Sequence, residues 1–277
     1  MIFTFNALAL MFFFVLGAII GSFLNVVIFR YRTGRSVNGR SGCLSCATQL
    51  KWYQMVPILS YLVLRGRCAK CQTKISRQYV LVELVTAVLF TAIAYVFFGL
   101  LTLGFVGTFF AIFSLYSFIA CCAVVISVYD IRHMIIADPF AYAWIIAGIV
   151  VQALGIVWMG ISSLSLLNII AGPLFFIFFW SLWYFSKGTW MGGGDAKIGL
   201  AIGLTLGFSR GITAITLGFW IGAVYGIVLM ILSRSKYLSK HIGLRTEVPF
   251  GPFLVLGFFL ALLCNLDLVW MSGLFAF

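Results

Sequence analysis

Acidic residues are almost absent from this chain: six Asp and Glu stand among 277 residues, against 18 Lys and Arg. Charge of either sign is scarce, at 9% of residues. A soluble domain carries roughly 25% charged residues, so a water-soluble globule is excluded. The 64% hydrophobic content and mean hydropathy of +1.16 instead indicate a multi-span membrane protein. No Lys or Arg precedes the first apolar run, and no short hydrophobic core with a cleavage site follows it. That absence predicts a retained spanning helix rather than a cleaved signal peptide. There is no internal repeat, no low-complexity linker, and no Gly-x-Gly-x-x-Gly pattern after a strand to hold a dinucleotide.

What is present is apolar sequence in long pieces. Stretches near 7–29, 79–98, 105–128, 139–158, 164–186, 211–233 and 250–271 reach the ~20 residues needed to cross a bilayer. A shorter, glycine-rich stretch at 196–208 is an eighth candidate. The net charge of +12 tests the count. In a soluble protein it would suggest nucleic acid; here it reads as topology, because Lys and Arg collect in cytoplasmic loops. Residues 30–78 hold ten of the eighteen Lys and Arg and no acid, which predicts a cytoplasmic loop. With eight spans, Arg132, Lys187 and the cluster Arg234, Lys236, Lys240 and Arg245 also fall inside, and only Arg210 lies outside. Omitting 196–208 would export that cluster. The expected fold is therefore all-α, with about eight transmembrane helices and both termini periplasmic. Its expected divisions are a first helix at 1–29, a basic loop at 30–78 and a seven-helix membrane domain at 79–277. The lipid bilayer is its expected surroundings, and no nucleic-acid partner is expected.

The basic loop contains CLSC (Cys43, Cys46) and CAKC (Cys68, Cys71). Two such turns, each offering two sulfurs, match a tetrathiolate zinc site. A loop too small for its own core gains from that staple. Two redox-active pairs are the alternative, and a cytoplasmic setting disfavours stable disulfides. Cys121, Cys122 and Cys264 lie in apolar runs and read as small buried hydrophobes.

With six acids, each can be weighed. Asp267 reads as interfacial and Glu247 as a surface residue in the last basic loop. Glu83, inside YVLVELVTAVLF, is expected to pair with Arg77 or Arg30. Asp138 before Pro139 has the pattern of a helix start. Asp130 ends FIACCAVVISVYD and Asp195 follows three glycines in TWMGGGDAKIG, so both fall at the cytoplasmic ends of spans. Two carboxylates at one membrane face suit a hydrolase in which one activates water and the other polarises the carbonyl. Two interfacial acids paired with Lys197 and Arg132 are the alternative. The glycines favour the first, since they let a peptide backbone approach. His133 would share the helical face of Asp130; His241 lies in a basic loop.

These residues resemble the type IV prepilin peptidases of bacteria. GGGD at 192–195 fits the GxGD motif of polytopic aspartic proteases. DIRHMIIAD at 130–138 is similar to the family's first aspartate motif, with Ala137 where proline is usual and Arg132 where an acid is common. GSFLNVVIFR at 21–30, the paired CxxC loop, YVLVELVTAVLF at 79–90 and VPFGPFLVLG at 248–257 follow in the expected order. The resemblance implies a bifunctional enzyme of the bacterial inner membrane. Such an enzyme cuts the short basic leader from type IV prepilins or type II secretion pseudopilins at the cytoplasmic face. It then methylates the new N-terminal amine with S-adenosylmethionine. Carried over by motif, Asp130 and Asp195 are the catalytic pair, and Cys43, Cys46, Cys68 and Cys71 bind zinc. A transporter with Asp130 and Asp195 as a cation site, and a zinc scaffold without catalysis, are competing readings from other classes.

Overall fold

The computed structural model describes residues 7–33, 39, 41–43, 45–159, 163–234 and 248–267. The basic stretch 235–247, with His241, Arg245 and Glu247, and the end of the last expected span lie outside the described residues. Helices dominate: α1 (Ala7–Arg30), α2 (Leu59–Val63), α3 (Gln78–Val96), α4 (Phe98–Thr102), α5 (Val106–His133), α6 (Asp138–Met159), α7 (Ser163–Phe185), α8 (Asp195–Arg234) and α9 (Gly251–Leu263). Extended pairing among the described residues is limited to the isolated bridges Gly42–Gln49 and Arg67–Lys74. Among the described residues six helices are long and apolar enough to cross a membrane, α3 and α4 together counting as one. Their outer faces carry large apolar side chains such as Phe12, Phe118, Ile146 and Ile177, as a lipid environment allows. The protein is an all-α polytopic membrane protein.

The chain divides into two compact units, 1–125 and 126–277, with the boundary inside α5. In the first unit α1 and α3 run antiparallel in close contact. Gly17 and Gly21 permit it: a Cβ on either would lie 2.7–2.8 Å from the α-carbon of Ala87 or Glu83. Small residues are how helices approach where water exclusion offers no drive.

In the second unit α8 is two helices. Gly207 at φ 76 interrupts it, a conformation glycine adopts without a Cβ clash. The contacts on either side show the chain turning back. Going up the first half, Gly199 meets Phe179, Gly203 meets Gly172 and Gly207 meets Asn168 of α7. Going on, Gly211 meets Phe175 and Phe219 stacks near Phe179. Both half-helices are capped by side chains at the turn. Gln152 Nε2 donates to the Leu204 carbonyl at 2.8 Å, and the Phe208 amide donates to Asn168 Oδ1 at 3.2 Å. Helix ends inside an apolar bundle need such partners. The stretches expected at 196–208 and 211–233 are the two halves of α8, whereas of the last, expected at 250–271, residues 251–263 are helical and 264–267 are not. The segment 195–206 and the 13-residue α9 are short, about 18–20 Å at 1.5 Å per residue.

Candidate active site and metal site

The reversal at Gly207 returns α8 alongside α9, with Ala214 against Gly257, and Gly218 and Gly222 against Phe253. This pairing sets where Gly251, the first residue of α9, lies. Its amide donates to Asp130 Oδ2 at 3.0 Å. A Cβ on Gly251 would sit 2.7 Å from that oxygen and 3.4 Å from Ile136 and Ile198, so no other residue fits without displacing the carboxylate. Asp130 belongs to the last turn of α5 and is 5% exposed; Asp195 begins α8 and is 4% exposed. Asp195 lies in the field of Asp130. The structure therefore brings together the two aspartates that the sequence offered as a pair, at the end of the unit where α5 and α7 stop and α6, α8 and α9 start.

The glycine run shapes the approach to Asp195. Gly192 accepts a hydrogen bond from the Asp195 amide at 3.1 Å. A Cβ on Gly194 would meet Ile136 at 2.5 Å, and one on Gly193 would approach the Trp183 indole. The glycines let the turn press onto the 131–137 link and onto the end of α7. Lys197 does not neutralise either aspartate. Its Nζ bonds Asp138 Oδ1 at 2.6 Å and lies 5.0 Å from the centre of the Tyr142 ring. Asp138 thus has a charged partner as well as its place at the start of α6. Lys197, one of the two expected partners, is thus engaged by Asp138, and His133 is exposed with its ring against Tyr129. Asp267 accepts from the Ser209 hydroxyl. Sequence reasoning gave no role to Gly251, although VPFGPF held the signal: a Gly-Pro pair at a helix start.

In the first unit Cys43, Cys46, Cys68 and Cys71 cluster, with all four Sγ atoms within 4.8 Å of one another. Zn–S bonds of about 2.3 Å in a tetrahedron put sulfurs about 3.8 Å apart; Cys43 and Cys71 Sγ lie at 3.7 Å. The donors fit a tetrathiolate metal. Each half is built alike. The amide of the first cysteine bonds the threonine carbonyl five residues on, as Cys43 to Thr48 and Cys68 to Thr73. The residue after each pair, Ala47 or Gln72, takes positive φ. The C-x-x-C-x-T pattern occurs at 43–48 and 68–73, and the threonines have a use. Hydrogen bonds from the Thr73 side chain and backbone hold the Cys71 thiol down at about 6, and Thr48 lowers Cys46 in the same way. Thiolates are the ligand form. Glu83 pairs with neither expected arginine; its Oε2 accepts from the Ile58 amide at 2.7 Å.

The fold and this site define a polytopic helical membrane protein with paired buried aspartates in one unit and a four-cysteine cluster in the other. Residues 15–97 match the bacterial peptidase A24 N-terminal domain, and residues 117–227 the type IV leader peptidase family. The prepilin leader peptidase/N-methyltransferase of Aeromonas hydrophila is 33% identical over 281 residues, covering 90% of this chain and 89% of that protein. The protein of the same name from Neisseria gonorrhoeae is 29% identical over 291 residues, covering 93% and 91%. The type 4 prepilin-like proteins leader peptide-processing enzyme of an Escherichia coli strain is 32% identical over 265 residues, covering 87% and 88%. The chain belongs to the type IV leader peptidase family and is an enzyme of that family. No solved structure matches it.

Proposed function

We propose that this protein removes the leader peptide from type IV prepilins or type II secretion pseudopilins and then methylates the exposed N-terminal amine. The observation that carries the peptidase half is the buried pair Asp130 and Asp195, with the Gly251 amide on Asp130 at 3.0 Å. In this reading one carboxylate takes a proton from water as the water attacks the scissile carbonyl. The other supplies a proton to the carbonyl oxygen, and later the leaving amine is protonated. The Gly251 amide fixes the rotamer of Asp130, so its oxygen is aimed before substrate arrives. Gly192 leaves space for a peptide backbone beside Asp195, since a Cβ there would meet only the Asp195 carboxylate, at 3.6 Å.

The methyl group comes from S-adenosylmethionine, as the N-methyltransferase in the relatives' names supports. Zinc on Cys43, Cys46, Cys68 and Cys71 staples the basic loop and takes no part in either reaction. Eight helices cross the bacterial inner membrane, with the loop and the aspartates facing the cytoplasm and both termini outside; the ten cations of residues 30–78 support that orientation. The test is co-expression with a prepilin. Leader loss on a gel, followed by a product heavier by one methylene at its N-terminus, is the expected result. No leader loss with any prepilin or pseudopilin would contradict the reading.

A further inference from the structure

Glu83 is the single acid among residues 1–125, and it is 7% exposed. Two neutral donors hold it, the Ile58 amide on Oε2 at 2.7 Å and the Ser22 hydroxyl. Beside it, Asn25 is 1% exposed. Its Nδ2 donates to the carbonyls of Tyr79 at 3.0 Å and Gly21 at 3.3 Å. Two carbonyl acceptors fix the amide with its nitrogen toward them. Asn25 Oδ1 is left buried without a hydrogen-bond partner. Such a group is costly unless something donates to it.

The two residues lie one helical turn apart on the α1–α3 seam. On antiparallel α1 and α3, Gly21 faces Glu83 and Asn25 faces Tyr79, one turn further along. Helical side chains lean toward their own N-terminus, so Asn25 leans toward the level of Glu83 and Glu83 toward the level of Asn25. The result is an anionic acceptor beside an unused neutral acceptor. A positively charged group with several N–H bonds complements both: a primary ammonium.

We propose that Glu83 and Asn25 form the seat for the α-amine that is methylated. This rests on the methylation reading above. The peptidase family match, 117–227, contains both Asp130 and Asp195, whereas Asn25 and Glu83 lie in the separate N-terminal match, 15–97. Glu83 accepts a proton from the bound ammonium, which frees the nitrogen lone pair. That lone pair attacks the methyl carbon of a sulfonium donor; the N–C bond forms as the C–S bond breaks, and the bonding electrons leave with sulfur as a neutral thioether. The product is a secondary ammonium, and the proton on Glu83 passes to solvent. Asn25 Oδ1 accepts from an N–H throughout and orients the lone pair.

The test uses the full-length protein in lipid or detergent with a prepilin and with a synthetic peptide that begins with phenylalanine and has a free α-amine. Glu83→Gln keeps an acceptor for the Ile58 amide, so folding is monitored by melting temperature and zinc content. The expected result is wild-type leader cleavage, N-methylation lowered at least tenfold, and peptide Kd raised about tenfold. The same peptide with its amine acetylated should bind wild type and variant alike. Unchanged methylation and unchanged peptide binding in Glu83→Gln would overturn the proposal. So would a variant that loses cleavage and methylation together with a lowered melting temperature, which makes Glu83 a strut. Weakened binding of S-adenosylmethionine with peptide binding unchanged would also overturn it, assigning the ammonium to the donor. If wild type cleaves but never methylates, the methylation reading fails, and the comparison of free and acetylated peptide still decides the amine seat.

Discussion

Lys197 Nζ lies 2.6 Å from Asp138 Oδ1, and that contact closes a ring through both catalytic candidates. The chain runs from Asp130 through the 131–137 link to Asp138, across the ion pair to Lys197, and back two residues to Asp195. The pair is 24% and 47% exposed on its two sides, so it contributes about 1 kcal/mol or less to stability. Its effect on geometry is larger, because a misplacement of about 1 Å at a reacting group can lower the rate about 100-fold. Lys197→Ala or Asp138→Ala should therefore reduce leader cleavage about tenfold or more with a small change in melting temperature. Exchange of the two, Lys197→Asp with Asp138→Lys, should recover much of the rate, as measured by initial cleavage velocity. Single variants with wild-type rates would show that the ring is held by other contacts.

Gly251 is a second positioning element. Its amide bonds Asp130 Oδ2, and an added Cβ would lie 2.7 Å from the same oxygen. Gly251→Ala should displace the carboxylate and lower kcat about 100-fold, the scale of a misplaced reacting group, while peptide KM changes little. A cleavage assay over a range of substrate concentrations separates the two constants.

The turn at Gly207 carries the placement of α9 and hence of Gly251. Its φ of 76 disfavours any other residue, and a Cβ there would collide with Asn168 Oδ1. Gly207→Ala should destabilise the protein by roughly 1–3 kcal/mol from backbone strain, with further loss from the clash. Asn168→Ala should cost about 1 kcal/mol, as loss of a cap does. Thermal unfolding of the purified variants measures both.

The cysteine site makes a pH prediction. Cys71 is held at about 6 by Thr73, below the usual thiol value, so its thiolate is the main form above that pH and is lost as pH falls through it. Bound zinc should be retained at neutral pH and released on acidification, as protons compete for the thiolates. Metal analysis after dialysis at stepped pH reads this directly. In metal-free protein, Thr73→Val should shift the alkylation of Cys71 to higher pH. Cys43→Ser with Cys46→Ser should remove the zinc; unchanged zinc content would contradict the site.

Much of the helix pattern was legible because apolar runs of bilayer length have few other uses. The aspartate pair was legible for a related reason: with six acids in the chain, two at matching helix ends stand out. Partners were harder. Lys197 follows Asp195 by two residues and looked like its counter-ion, but the start of α8 turns it toward Asp138. Glu83 seemed to need an arginine, yet a backbone amide at Ile58 reaches it, and no sequence pattern announces a backbone donor. Gly207 gave no cue either. Its role depends on Gln152 and Asn168, which lie 55 and 39 residues before it and reach the turn only after the helices pack. The two cysteine turns are the opposite case, since both C-x-x-C pairs are plain in the sequence and only the threonines two residues after each pair carry no expectation there.

The central claim is that Asp130 and Asp195 together cut the leader. The direct measurement is cleavage of a purified prepilin by wild type, Asp130→Asn and Asp195→Asn, each reconstituted in lipid and checked for melting temperature. Both variants should stay folded and lose cleavage by a factor of about 1,000 or more, the scale expected when a member of a catalytic unit is removed. Cleavage at the wild-type rate in either folded variant would contradict the account.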